Sequence, residues 1–283
     1  MPGLFDSAWM KWGWAVVHAQ TLDAELGIYG REGDEQRIYT SRTEYDPKRH
    51  CIRQIFETIE PLPVKWGLQI GDIANNYRAC LDHLAWAVVS RGNAILDAKR
   101  ERNVYFPIAL DREDFATKVH SVLPGITRTD RAIIRRYQPY VWGKRNIPFH
   151  VLTPLPGLTR DDKHREIRPV WAAPTSALIE YTNPIDCEIT KVPDRGRRTI
   201  LEVGAEVNRI YVRRTGPKPE IQMKASLSAK PLLNESIWLG DWLAKISDHI
   251  RDLLLEFARP PDTILELGIK PAVQSTESSA LAE

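Results

Sequence analysis

An arginine and a histidine five positions apart, Arg78 and His83, stand mid-way along a stretch of helical periodicity, with Asn76 and Asp82 beside them. A guanidinium can hold phosphate oxygens through two parallel hydrogen bonds. An imidazole can pass protons near neutral pH. Together they suffice for metal-independent cleavage of RNA, in which the 2′-hydroxyl is the nucleophile. Arg78 would hold the scissile phosphate, His83 would transfer the proton, and Asn76 and Asp82 would orient them. The competing reading is structural: Asp82 anchors Arg78 four positions away on a helix, while His83 bonds a backbone group between helices. A second polar concentration follows at Asp161-Asp162-Lys163-His164-Arg165. Adjacent histidine and carboxylates can ligate a metal or relay protons, and the same residues suit a charged turn ending a helix. If this cluster faces Arg78 and His83, the two form one composite site, with Asp162, His164 and Arg165 in support.

The element that must position the first set runs from 64 to 91. Its apolar residues Trp66, Ile70, Ile73, Tyr77, Leu81, Leu84 and Val88 recur at intervals of three and four, one face of a helix. Pro61 and Pro63 bar helix before it, and Gly92-Asn93 can end it. At about 100° per residue, Asp72, Asn76 and His83 share one stripe, and Asn75, Arg78 and Asp82 share the next. A core helix seldom carries that many polar groups without partners or a task.

Two resemblances attach to these residues. Asn76-Tyr77-Arg78-Ala79-Cys80-Leu81-Asp82-His83-Leu84 resembles the "NLRxxLDHL" helix of a widespread group of uncharacterised bacterial and phage proteins. Phe106-Pro107-Ile108, Gln138-Pro139-Tyr140 and Asp162-Lys163-His164-Arg165 extend the likeness over about 66–165. That group brings no activity with it. Separately, Arg78 and His83 resemble the R-x4–6-H motif of HEPN (higher eukaryotes and prokaryotes nucleotide-binding) domains. Many of those are ribonucleases of toxin and defence systems that work as helical dimers. Ala79 stands where that family usually has a polar residue. This likeness implies RNA as substrate and a homodimer with Arg78 and His83 near its twofold axis.

Composition sets bounds. With 283 residues, 43% hydrophobic, and nine Trp, the chain can build a substantial core. A net charge of +2 supplies no global field for nucleic acid. Cys51, Cys80 and Cys187 are scattered and odd in number, without a CxxC pair, which fits a reducing cytoplasm and neither a disulfide framework nor a zinc ribbon. No signal peptide and no membrane span is expected. Phosphate-binding glycine loops, the GxSxG elbow and HExxH are absent from the sequence. No cofactor is expected and no metal site is assigned.

The remaining elements follow in chain order. Residues 6–29 read as an amphipathic helix with the stripe Phe5, Trp9, Trp12, Val16, Ala19, Leu22 and Leu26. Trp9, Trp12 and Trp14 suit either core or a base-stacking platform, and His18 and Glu25 share a face that can approach the central helix. Strands are expected at 36–45 and 49–59 around an Asp46-Pro47 turn. Helices follow at 111–121 and 127–137. The second clusters Arg128, Arg131, Arg135 and Arg136 against Asp130 alone, a pattern suited to phosphate or to a solvated face. The proline-rich 147–160 carries no assignment. Strands are expected at 166–173, 176–182, 185–192, 198–204, 206–213 and 219–227, made basic by residues such as Arg195, Arg197 and Arg198. A helix is expected over 232–258 before Pro260-Pro261.

The expected fold is therefore α+β. Residues 1–165 form a helical domain carrying a hairpin at 36–59, 166–230 an antiparallel β region, and 231–260 a helix returning to the helical part. Long amphipathic N-terminal, central and C-terminal helices would make a bundle, and 270–283 a mobile tail. Functionally, a HEPN-like endoribonuclease or defence protein stands against a non-catalytic binding or interaction protein. A metal-dependent hydrolase using His83, His164 and nearby carboxylates is the third option.

Overall fold

A computed structural model describes residues 3–29, 38–92, 96–173, 178–192, 199–226, 230–233 and 237–267. The expected mobile tail, and Arg195, Arg197 and Arg198, lie outside the described residues. The fold is mixed α+β, with helices α1 (Asp6–Tyr29), α2 (Val64–Arg91), α3 (Arg112–Val122), α4 (Arg128–Arg136), α5 (Leu155–His164) and α6 (Leu239–Leu255). Its strands are β1 (Tyr39–Asp46), β2 (Cys51–Ile59), β3 (Val170–Ala173), β4 (Leu178–Ile185), β5 (Cys187–Lys191), β6 (Thr199–Ile200), β7 (Glu206–Arg214), β8 (Glu220–Ser226) and β9 (Lys230–Leu232).

The seven apolar residues that define the α2 stripe are all buried. Each contributes about 1.5–3 kcal/mol by leaving water. At its far end the Gly92 N–H turns back to the carbonyls of Val88 and Val89, closing the helix. The α1 residues Trp9, Trp12, Val16, Ala19 and Leu22 are buried with them, and Phe5 and Leu26 pack at the margin. Helix α1 packs against both α2 and α6. The indole of Trp12 donates to the Ser247 carbonyl of α6 at 3.0 Å, so even the polar atom of this core residue is matched. Helix α6 begins at Leu239 rather than near 232, because β9 takes 230–232 and Leu232 bridges back to Trp238. The unassigned proline-rich segment forms a short 3₁₀ turn at Ile147–Phe149 and then α5. Prolines sit in the first turn of both, where a missing N–H costs nothing.

The hairpin does not stand alone in the helical part. Strand β7 pairs with β2, and the four-stranded antiparallel order is β1-β2-β7-β5. The hairpin therefore shares a sheet with strands from the later β segment. Its turn is fixed by the Asp46 carboxylate, which accepts from the N–H groups of Lys48 and Arg49. Smaller sheets join β6-β3-β9 and β4-β8. The expected strand at 198–204 is reduced to Thr199–Ile200. Trp171 of β3 joins the sheets to the helices. Its indole donates to the Glu60 carbonyl at 2.9 Å, and its ring meets Trp66 of α2 at 6.4 Å. Gly67 is required here, since a Cβ would lie 2.2 Å from the Ile167 carbonyl oxygen.

Candidate functional site

Gly71, Asn75, Arg78 and Asp82 recur at intervals of four, three and four, and so line one stripe of α2. Helix α5 packs on its first half. The carboxylate of Asp162 sits over Gly71, where a Cβ would come within 1.8 Å of Oδ1. Its Oδ2 accepts from Asn75 Nδ2 at 2.6 Å. The second half of the stripe is closed by its own residues. Arg78 donates through Nε to Asp82 Oδ2 at 3.1 Å and through Nη2 to Oδ1 at 2.8 Å. Asp82 Oδ1 also accepts the backbone N–H of Phe106 at 2.9 Å. The guanidinium lies 5.6 Å from the centre of the Tyr105 ring. Both side chains are half-buried, 21% and 32% exposed. Burial raises the Asp82 carboxyl above its ordinary range, against the opposing pull of the Arg78 charge and the Phe106 bond.

The other residues expected at the site have separate surroundings. Asn76 donates through Nδ2 to the Asp72 carbonyl of its own helix at 2.8 Å, so its amide is turned away from Arg78 and His83. His83 is half-buried, and its Nδ1 is buried without a hydrogen-bond partner among the described residues. Arg78 and His83 are five positions apart, about 140° around the helix, and do not face a common point from one chain. His164 and Arg165 are exposed at the end of α5, and their side chains make no hydrogen bond or ion pair among the described residues. The two polar clusters do meet, but through Asp162 and Asn75 rather than through His164 and His83. Among the described residues no group of three His, Cys, Asp or Glu side chains is placed to hold a metal ion.

The aromatic cluster of α1 divides. Trp9 and Trp12 are core residues meeting edge to face at 5.5 Å, while Trp14 is 49% exposed beside His18. Glu25 does approach the central helix. It accepts from Trp66 Nε1 at 2.9 Å and Gln69 Nε2 at 3.3 Å, and pairs with Lys65 at 2.8 Å. Those bonds, Lys65 first, hold its carboxyl below the usual range.

One titratable group gave no sequence signal. His150 is fully buried, and its Nδ1 accepts the Leu152 N–H at 3.2 Å. The neutral ring then carries its proton on Nε2, which has no partner among the described residues. Its ring meets those of His249 and Trp142 edge to face, each at 4.8 Å. His249 in turn bonds the Tyr137 carbonyl through Nε2 at 3.2 Å. Burial, with the neighbouring His249 adding to it, depresses His150 to about 3, and burial lowers His249 as well. Imidazoles this reluctant to protonate are poor proton shuttles near pH 7 and serve as packed core. No described helix is long and apolar enough to cross a membrane. No protein-family model, curated protein or solved structure matches the chain.

Proposed function

We propose that this chain is a non-catalytic binding or interaction protein in which the Asn75–Arg78–Asp82 stripe is a structural clamp. One observation carries the reading: Asp82 takes both Nε and Nη2 of Arg78 and also the Phe106 N–H. The Nε/Nη2 edge, one of the two through which a guanidinium can grip a phosphate, is thereby already used. In this reading α1, α2 and α6 act as a bundle, and the clamp fastens the extended segment around Phe106 to it.

A second reading has its own support. The unpartnered Nδ1 of His83 is the kind of buried polar atom that a ligand or a second subunit can satisfy. A HEPN-like, metal-independent endoribonuclease acting in defence or as a toxin would use it with Arg78. That reading needs a homodimer, because the two side chains of one chain point apart and a twofold axis beside α2 would bring a second pair to each cleft.

RNA cleavage in the presence of a chelator decides between them, run with wild type, Arg78→Ala and His83→Ala beside a light-scattering mass. The clamp predicts intact RNA throughout and a lowered thermal midpoint for Arg78→Ala. Cleavage by a wild-type dimer, lost in both variants at an unchanged midpoint, would establish the nuclease instead.

A further inference from the structure

The arginines of α4 form a site that the α2 stripe does not include. Arg128, Arg131 and Arg135 are exposed, and intervals of three and four put them on one face of the helix. Over those seven positions the face extends about 10 Å, and a nucleic-acid strand carries one charge per about 3.4 Å of axis. None of the three makes an ion pair among the described residues. The one carboxylate on α4, Asp130, is buried and paired with Arg91 at 2.5 Å. Its negative charge is thus turned inward and neutralised, leaving the outer face cationic. Arg136, at the end of the helix, is tied to Glu256 at 2.8 Å and stands apart from the stripe.

Beside this face lies a concavity of about 530 Å³, lined by Arg100, His120, Arg128 and Arg131 among others. No acidic residue lines it. The first turn of α4 borders it, with the Asp130 N–H already bonded to Thr127 Oγ1 and the Arg131 N–H to the Thr127 carbonyl, so the cationic side chains supply its charge. On the other side, Tyr140 lies within the field of Arg135, Arg112 and Arg131, which opposes the upward push of burial on its phenol. Its hydroxyl is buried with no partner among the described residues. An overall charge of only +2 makes this concentration local rather than a property of the whole surface.

We propose that the Arg128–Arg131–Arg135 face and the adjoining concavity bind the phosphate backbone of single-stranded RNA. Phosphates would lie along the arginines. This names a ligand for the binding-protein reading. It rests on residues that the α2 clamp does not share, so the two can fail separately.

The test is fluorescence anisotropy of a labelled single-stranded RNA of mixed sequence, titrated with full-length protein over a range of salt. The triple variant Arg128→Gln/Arg131→Gln/Arg135→Gln should lose about 2 from the slope of log affinity on log salt, near 0.7 for each of three phosphate contacts. Its circular dichroism and thermal midpoint should match wild type, since the replaced groups are exposed. Arg136→Gln should leave the slope within about 0.7 of wild type. An unchanged slope in the triple variant, or an equal loss from Arg136→Gln, would overturn the proposal. So would binding to phosphatidylserine vesicles without binding to RNA. RNA bound through this face and recovered intact supports both readings. RNA bound through it but cut would refute only the non-catalytic one.

Discussion

Removing the Asp82 carboxylate probes the clamp directly. Asp82→Ala strands the Phe106 N–H, and a buried donor left without a partner costs about 1–3 kcal/mol. It also releases Arg78. Exposed ion pairs contribute about 0–1 kcal/mol and breaking a buried one costs about 3–5, so a pair 21% and 32% exposed lies between. The expected loss is about 2–4 kcal/mol. Asp82→Asn keeps an oxygen for the Phe106 N–H and gives up the charge, so about 1–2 kcal/mol is expected. The difference also has a pH signature. The folded-state carboxyl lies above its unfolded value of 3.8. Its contribution is therefore complete below 3.8 and declines as pH rises through the raised folded value. The deficit of Asp82→Asn against wild type should shrink over that same rise. Urea unfolding followed by tryptophan fluorescence, at acid and neutral pH, measures both quantities. Equal losses for the Ala and Asn variants would show that the Phe106 N–H does not depend on Asp82 as argued, and a deficit that grows with pH would show that the Arg78 pair outweighs the cost of burying the carboxylate.

Two further substitutions test the parts of the fold around the clamp. Gly71→Ala puts a Cβ 1.8 Å from Asp162 Oδ1, so the carboxylate must swing aside and give up its bond to Asn75, at a cost of about 0.5–1.5 kcal/mol. Asp162→Ala should cost a similar amount alone and almost nothing further in the Gly71→Ala background, and additive losses would place the conflict elsewhere. His150 and His249 have folded pKa values depressed below 6.5, so the unfolded chain takes up protons first and stability falls as pH drops below 6.5. The slope is at most about 1.4 kcal/mol per pH unit for each ring. His150→Gln should remove about half of it between roughly pH 6 and 5. An unchanged slope in denaturant titrations would refute the assignment.

What could be read in advance follows physical range. The α2 stripe was legible because burial of one face imposes a 3.6-residue period on the sequence itself. The Arg78–Asp82 pair was legible because four positions on a helix fix proximity without knowledge of the rest. The partners from elsewhere were not. Asp162 was marked as part of a polar cluster, yet which of its neighbours would face α2 depended on how α5 docks over Gly71. The Phe106 N–H carries no side-chain signature at all, since every residue but proline supplies one. His150 and His249 are single histidines far apart in the chain, with no spacing to mark them. The hairpin could be seen as two strands and a turn, but its pairing with β7 is a non-local choice set by the sheet's inner face, where Ile52 and Ile210 are both buried.

The two sets of arginines differ in what a phosphate must displace. At Arg78 an incoming phosphate competes with a carboxylate already bonded to Nε and Nη2, and charged hydrogen bonds of that kind are worth about 1.5–3 kcal/mol. Freeing Asp82 would also endanger its bond to Phe106. At Arg128, Arg131 and Arg135 no carboxylate has to leave, because Asp130 already faces Arg91 inside the fold. Phosphate affinity should therefore reside on α4 whichever role Arg78 and His83 have. If those two cut RNA, the strand would be held first at α4, and chemistry at α2 would require the clamp to open. That order has a consequence for variants: loss of the α4 arginines would weaken binding without touching a cleavage step measured at saturating RNA, whereas loss of His83 would do the reverse.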